Sequence, residues 1–365
     1  MEQKKEKLYR GKRTILLAGM ISCILFFLIC LCGCGVNELE NQAFPLTMGV
    51  EAKEDGSFQL YLAYPNLQDE NASENALSSD VYWEGTVPDL FTGMRQMSEN
   101  SSKNPDLNHL KVLLLNPQMF ASDAAMEALL SFFEKETDAA WNTYVLLTEE
   151  PMQELFTEEL QLPECMGIYL EDLLEEWEHV KHDSFVTVGT LMRQFYEQKG
   201  TVCIPRVVRQ EEKLTIGGFA VLEQLHLAGN LSLEEGYEAL LLQNNLKEYT
   251  FSLADGTGVT LEQLQVQRSV VSEQMNEMVV QIVINGTFGI TNRLEGSTQR
   301  QQLETAAKQE LEARLQEFAE KWQQAGYDVT DSYALLPGSD RALWEQYQDN
   351  EKQYVADLIY QVQIR

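Results

Sequence analysis

Residues 112–147 have the sequence VLLLNPQMFASDAAMEALLSFFEKETDAAWNTYVLL and predict a strand, a helix and a second strand. Val112 to Leu115 is an unbroken apolar run, typical of a strand buried on both faces. Ser122 or Asp123 can cap the helix, whose apolar residues share one face (Ala125, Met126, Leu129, Phe132 and Phe133). Trp141 to Leu147 supplies the second strand. Because such crossovers join parallel strands with a right-handed turn, we expect a parallel pair.

Two predicted elements precede this unit. Residues 46–64 predict a β-hairpin with Glu54-Asp55-Gly56 as its turn, and residues 66–80, rich in Asn, Ser and acidic side chains, predict a loop. Pro88 then begins a short helix, since N–H groups in the first helical turn have no intrahelical partner and proline loses nothing there. The apolar residues of that helix share one face (Leu90, Phe91, Met94 and Met97).

Helices and strands are also predicted after this unit. They are a short helix from Pro151, an acidic helix over residues 168–182 and a β-rich segment over residues 201–227. Ser232 and Glu235 lie three positions apart in front of an apolar run. They predict a capping box, in which each side chain satisfies a backbone N–H of the other's turn.

The C-terminal third predicts one long helix. Ser297 or Thr298 begins it, Gly326 ends it, and its apolar residues form one stripe (Leu303, Ala307, Leu311, Leu315, Phe318 and Trp322). Three acidic–basic pairs lie four residues apart in the favourable order, each expected to add a few tenths of a kcal/mol (Glu304–Lys308, Glu310–Arg314 and Glu317–Lys321).

Extended segments surround this helix. Asp255 to Gly258 predicts a turn, Met278 to Ile290 alternates as a strand, and Tyr327–Leu335 and Tyr354–Ile364 predict two further strands. We therefore expect a C-terminal antiparallel sheet with one long helix packed across it. The fold class predicted for the whole chain is α+β, in the sense of a mixed α/β, multi-domain protein.

The chain is too long for a typical single core. The sequence predicts an export signal over residues 1–33, an N-terminal α/β domain over 34–200, a β-rich middle domain over 201–270 and a C-terminal α+β domain over 271–365.

The N-terminus has the pattern of a lipoprotein export signal. Six basic residues lie within residues 1–13, and no charged residue occurs from Ile15 to Leu31. Leu31-Cys32-Gly33-Cys34 then matches the bacterial lipobox, in which small residues let a membrane protease reach the backbone and the Cys34 thiol accepts a lipid. Cys34 is the predicted lipidation site. Cys32 is the weaker candidate, because bulky Leu31 would precede it directly.

An uncleaved membrane helix is the alternative to a cleaved signal. The apolar run of 17 residues is at the short end of what a span needs, and Gly19 and Ser22 interrupt it. A covalent lipid would hold the protein at a bilayer, since each buried methylene adds about 0.8 kcal/mol.

The charge of the chain bears on its partners. The formal net charge is −30, and because residues 1–33 hold six basic and two acidic residues, the remainder carries −34. Such a surface repels nucleic acid and anionic headgroups, so we expect no nucleic-acid partner.

Two of the six cysteines, Cys165 and Cys203, lie beyond the export segment. They could form a bridge, but separate thiols are the preferred interpretation, since Cys203 lies in an apolar strand where a buried thiol packs well.

Enzyme motifs are missing from the sequence. There is no HExxH, G-x-S-x-G, Walker A or helix-opening G-x-G-x-x-G. Gly217-Gly218 indicates a bulge or close backbone approach rather than a phosphate cradle. His109, at a strand entrance, suits a loop-orienting role better than catalysis. Metal ligands could come from one helical face (Glu175, His179 and His182), but a solvated acidic helix is the preferred interpretation. We expect no catalytic, metal or cofactor site.

Several segments together resemble the Ger(x)C family, the lipoprotein C-subunits of spore germinant receptors. The lipobox cysteine matches Cys34, and His109-Leu110-Lys111-Val112 resembles the family's His-x-Lys-Val strand. Gly218-Phe219-Ala220-Val221 and Leu227-Ala228-Gly229-Asn230-Leu231 resemble its Gly-x-Ala-Val and Leu-x-Gly-x-Leu elements. The opening segment and the Trp344-containing end are also similar, so the resemblance covers nearly the whole chain beyond residue 34.

The resemblance implies a three-domain, mixed α/β lipoprotein without enzymatic activity. It implies assembly with two integral-membrane receptor subunits, an A-type and a B-type, at the inner spore membrane, with the lipid-anchored chain on its outer face. The alternative functions are a solute-binding lipoprotein of a membrane transporter and a cell-wall hydrolase. The first would need two similar lobes around a cleft, and the second a triad or metal cluster.

Overall fold

The computed structural model describes residues 42–66, 80–101, 103–136, 139–157, 160–177, 179–181, 184–197, 200–272, 278–290, 297–348 and 350–365. The predicted signal segment, Cys34, most of the predicted 66–80 loop and His182 lie outside the described residues. The chain divides into two units, Met1–Gln42 and Ala43–Arg365. The contacts described below lie within the second.

The described strands alternate with helices along most of the chain. They are β1 Gln42–Ala43, β2 Thr47–Ala52, β3 Phe58–Pro65, β4 Asp80–Val87, β5 Asn104–Pro105, β6 Val112–Leu115, β7 Tyr144–Thr148, β8 Thr201–Gln210, β9 Lys213–Glu223, β10 His226–Leu231, β11 Tyr249–Ser252, β12 Gly258–Ser272, β13 Met278–Ile290 and β14 Leu358–Ile364.

The described α-helices include one much longer than the rest. They are α1 Leu90–Ser101, α2 Asp123–Lys135, α3 Met152–Leu155, α4 Met166–Glu175, α5 Val188–Glu197, α6 Leu233–Leu242, α7 Ser297–Gln324, α8 Leu336–Ser339, α9 Arg341–Tyr347 and α10 Glu351–Asp357. Single turns of 3₁₀ helix lie at Leu107–His109, Pro117–Phe120 and Tyr333–Leu335.

An eight-stranded sheet has the order β10-β9-β8-β7-β6-β2-β3-β4. Its central strands β8, β7, β6 and β2 are parallel, and the outer ones are antiparallel. The predicted strand–helix–strand unit is confirmed: Val112 pairs with Tyr144 in parallel, and the apolar face of α2 is buried. The second strand begins only at Tyr144, and Trp141 is 53% exposed.

The β-rich segment from residue 201 joins this sheet. β8 pairs with β7, so the sheet is continuous across position 200/201. Opposite Arg206 and Val207 the register shifts at Gly217-Gly218, as expected for a bulge. Gly218 has a φ of +147°, and a Cβ there would lie 2.3 Å from the carbonyl oxygen of Leu231. The domain boundaries remain predictions.

The second sheet has the order β11-β12-β13-β14 and corrects one expectation. The pairs up to β13 are antiparallel, but β13 and β14 are parallel, with Met278 opposite Leu358. The physical reason is the connection. β13 leads into α7 before the chain returns as β14, and a strand that returns through a crossover lies parallel to the first, whereas a hairpin would reverse it. The C-terminal sheet is therefore mixed.

The predicted strand Tyr327–Leu335 is wrong, and the predicted strand Tyr354–Ile364 is wrong in its first four residues. Tyr327–Leu335 forms turns and a 3₁₀ turn, because the carboxylate of Asp328 bonds nearby backbone N–H groups and holds the segment bent. Tyr354 lies in α10, which Asn350 caps by accepting from the N–H of Gln353 at 3.1 Å. Extended structure begins only at Leu358.

The long helix α7 buries its predicted stripe, from Ala307 and Leu311 to Trp322. Two of its three predicted internal ion pairs are replaced by contacts with α6, and in the third Glu304 pairs with Arg300, at 2.9 Å, instead of Lys308. Arg314 donates to both Glu234 and Glu238, and Lys321 pairs with Glu235 at 2.8 Å. The capping box that begins α6, Ser232 with Glu235, is confirmed.

Polar side chains of α7 also cover the outer edge of β14. Gln316 accepts from the N–H of Val362 at 3.1 Å and donates to the carbonyl of Tyr360 at 2.7 Å. Glu312 accepts from the N–H of Ile364 at 2.7 Å. An open sheet edge can pair with another chain, and these contacts close this one.

Candidate functional site

A buried acidic loop, residues 328–333 (the Asp328 loop), forms the polar centre of the described structure. Asp328 is fully buried, and its carboxylate accepts five hydrogen bonds. Oδ1 accepts from the N–H and hydroxyl of Thr330, at 3.1 and 2.6 Å, and from the hydroxyl of Tyr360 at 3.1 Å. Oδ2 accepts from the Ser332 hydroxyl at 2.8 Å and the N–H of Tyr333 at 2.9 Å. A buried carboxylate is tolerated only with such satisfaction.

The Asp328 loop is held from both sheets. From β8, the N–H of Thr201 donates to Asp331 Oδ1 at 3.0 Å. From β12, Arg268 donates to the carbonyl of Thr330 at 2.6 Å. Gln243, next to α6, donates to the carbonyl of Val329 at 2.8 Å. The loop therefore links the eight-stranded sheet to the four-stranded one.

Burial shifts the proton affinities around this loop. It raises the pKa of Asp331 to about 7, against the opposing effect of the N–H of Thr201. It also raises the pKa of Glu223 to about 7, and the charge of Asp328 adds to that shift. The pKa of Arg268 is lowered by burial despite the nearby acids.

Asp331→Asn is expected to flatten the pH dependence of stability. Folded Asp331 keeps its proton between about pH 4 and pH 7 while the unfolded chain loses it, so the free energy of unfolding falls as pH rises through this window. The amide oxygen can still accept from Thr201, so the variant should remove roughly 2 kcal/mol of the decline between pH 5 and pH 7. Urea titrations at several pH values measure this.

The matched control is Glu99→Gln, an exposed acid on α1, which should leave the slope unchanged. A wild-type slope in Asp331→Asn would contradict a raised pKa at Asp331.

The other sequence candidates are scattered. His109 is exposed, and its ring meets that of Phe44 edge-on, with ring centroids 5.4 Å apart. His179 lies beyond the end of α4 and packs on Trp177 and Tyr237, where burial lowers its pKa. Glu175 ends α4. Within the described ranges, no three His, Cys, Asp or Glu side chains are grouped to hold a metal ion.

The two cysteines are not joined by a disulfide, as the preferred interpretation predicted. Both are buried, and burial raises the pKa of each thiol to about 12. A thiol with so high a pKa stays protonated near neutral pH, which makes it a poor nucleophile.

The Asp328 loop is what sequence reasoning missed. The spacing Asp328-x-Thr330-x-Ser332 was a usable signal, since Asp followed two residues later by Thr favours a local side-chain turn over a strand.

The predicted lipidation site, Cys34, lies outside the described residues. Within the residues that the structure describes, no helix has both the length and the apolar composition to cross a bilayer.

The described part of the chain thus defines a mixed α/β protein whose buried polar groups join sheets rather than assemble reactive pairs. Two family models match it: the spore germination protein N-terminal domain over residues 35–209, and the spore germination B3/GerAC-like C-terminal domain over residues 217–365. The chain belongs to this GerAC family of spore germination proteins. It is a germinant receptor subunit that takes part in spore germination, as the resemblance predicted.

One solved structure shares the fold. The crystal structure of the GerBC protein matches with a TM-score of 0.55 and 14% identity, covering 87% of this chain and 96% of that one. No curated protein matches the chain. The family is not known to be enzymatic, and the comparisons give the transporter alternative no support.

Proposed function

We propose that this receptor subunit is a non-enzymatic lipoprotein, anchored through Cys34 and assembled with an A-type and a B-type integral-membrane subunit. It would lie on the outer face of the inner spore membrane and be required for the response of dormant spores to a nutrient. The observation that carries the proposal is the pair of family matches, in order, over residues 35–209 and 217–365.

Two further features support the anchor. The first family match begins at residue 35, directly after Cys34, as it would if the folded part started at the lipidated cysteine. The net charge of −34 beyond residue 33 gives no electrostatic attraction to anionic lipid, so residence at a membrane needs a covalent or protein anchor.

A complemented deletion strain tests the receptor role. Spores that lack the chain should fail to germinate on one set of nutrients while sporulation proceeds normally, and the wild-type gene should restore the response. The readout is loss of spore refractility across a nutrient panel. Normal germination on every nutrient, in a strain without a paralogue, would reject the proposal.

Cys34→Ala tests the anchor separately. We expect loss of lipid label, accumulation of unprocessed or released protein, and weaker germination, because the anchor supplies effective concentration at the membrane. Cys32→Ala is the matched control, two residues away in the same segment, and it should be labelled like wild type. A membrane-bound protein with an unmodified Cys34 by mass spectrometry would contradict the assignment.

A further inference from the structure

A groove of about 850 Å³ lies between α2, α5, the β9–β10 turn and the helices before β14. Its lining is dominated by acceptors, aromatic rings and apolar side chains, among them Asp123, Glu127, Glu197, Glu351, Gln194 and Trp344. The volume lies within the range of small-molecule sites. We call this the acidic groove.

The described lining of the acidic groove is rich in carboxylates. Four carboxylates line it, and among its described lining residues there is no lysine or arginine. His226 lies 3.3 Å from Asp123, and both side chains are largely exposed. A concave surface lined by one sign of charge concentrates ligands of the opposite sign.

A buried hydrogen-bond acceptor in the groove is a second sign of a ligand, one that donates hydrogen bonds. Gln194, on α5, lines the groove and is 5% exposed, and its Oε1 atom has no hydrogen-bond partner. A buried carbonyl oxygen without a donor destabilises the fold, so such an atom calls for an explanation. A ligand that donates N–H groups would satisfy it, whereas an anion would not.

The β9–β10 turn supports one wall of the groove. Gln224 and Leu225 have φ values of +50° and +65°, a conformation that glycine or asparagine usually adopts in two-residue hairpin turns. The turn directs Gln224 toward α10, where its Nε2 donates to Glu351 at 2.6 Å. Buried Leu225 holds the turn in place.

Aromatic rings complete the lining. Tyr333 and Trp344 lie with ring centroids 5.9 Å apart, and Phe195 is half-buried on the α5 side. Ring faces attract cations, most strongly where water is excluded. Carboxylates, an amide oxygen and ring faces are together complementary to an organic ammonium group.

We propose that the acidic groove binds a small organic cation that carries one or more ammonium groups. The ligand would contact Glu127 and Glu197 through its charge, and the Gln194 oxygen would accept one of its N–H groups. This site is independent of lipidation and of the assignment to a receptor, since it rests on the groove alone.

The test uses the full chain, purified in detergent, and calorimetric titration with 1,4-diaminobutane as the probe. Neutral 1,4-butanediol and anionic succinate are ligand controls of the same length. The variants are Glu127→Gln with Glu197→Gln, both exposed positions whose change should leave the fold intact. Glu99→Gln, exposed on α1 and absent from the lining, is the matched protein control.

We expect saturable one-to-one binding of the diamine, no binding of the diol or succinate, and weakening by salt. The double variant should bind about tenfold more weakly, as expected for the loss of two partly screened charges. Glu99→Gln should bind like wild type. Absent saturation, or equal weakening by Glu99→Gln, would show diffuse attraction to an acidic chain and overturn the proposal. So would binding of a lysine-rich peptide without binding of the diamine.

Discussion

Asp328→Ala is expected to lower the free energy of unfolding by about 3–5 kcal/mol, enough to unfold much of the protein near physiological temperature. The carboxylate accepts five hydrogen bonds at a fully buried position, and its removal leaves the donors of Thr330, Ser332 and Tyr360 without that acceptor. Each unsatisfied buried donor costs about 1–3 kcal/mol before the loop relaxes. Urea unfolding followed by circular dichroism measures the change.

The chain offers a closely matched control in Asp255→Ala. Asp255 makes the same local contact, accepting from the N–H of the residue two positions on, Thr257, at 2.8 Å, but Asp255 itself is exposed. We expect a loss of about 1 kcal/mol or less there, because water replaces the lost contact. Equal losses at the two positions would mean that the Asp328 network adds nothing beyond a local turn.

Leu311→Ala is expected to lower the free energy of unfolding by about 2–5 kcal/mol. Leu311→Asp should lower it more, because it also places a charge at a buried position. Leu311 is fully buried, in the middle of the α7 stripe that packs in the core of the four-stranded sheet. Thermal and urea unfolding of the purified variants give the difference in stability.

Ala313→Asp is the control on the same helix, two residues away on an exposed position, and should cost only about 1 kcal/mol, from lower helix propensity and repulsion by Glu310 and Glu317. A change below half a kcal/mol for Leu311→Ala itself would mean that the stripe is open. A role for that face in docking a partner would then follow.

Local patterns were sufficient for the elements whose stability is local or repetitive. The apolar run Val112–Leu115, the alternation of Met278–Ile290 and the capping box at Ser232 each predicted an element that the structure contains. The missing enzyme motifs and the acidic charge pointed away from catalysis and nucleic acid. The ordered family motifs led to the GerAC family, which the family models show.

The ion pairs of α7 show a prediction from local spacing that was wrong. Spacing of four residues predicted that Arg314 and Lys321 pair within α7, and both pair instead with α6. An intrahelical pair on an exposed face adds only a few tenths of a kcal/mol, so a neighbouring helix that presents several carboxylates competes successfully. No pattern within α7 indicates that α6 lies there.

The sequence by itself determined the family, most helices and strands, and the burial of the α7 stripe, because these depend on residue types at short spacing; the export signal stays a prediction. Tertiary structure decided the parallel pairing of β13 with β14, the continuity of the large sheet past residue 200, and the placing of Thr201, Arg268 and Asp328 around one loop. These contacts join residues about 60 to 130 positions apart. The contacts around the Asp328 loop are stabilised by polar groups that are buried together, and no pattern of neighbouring residues predicts which distant groups will meet.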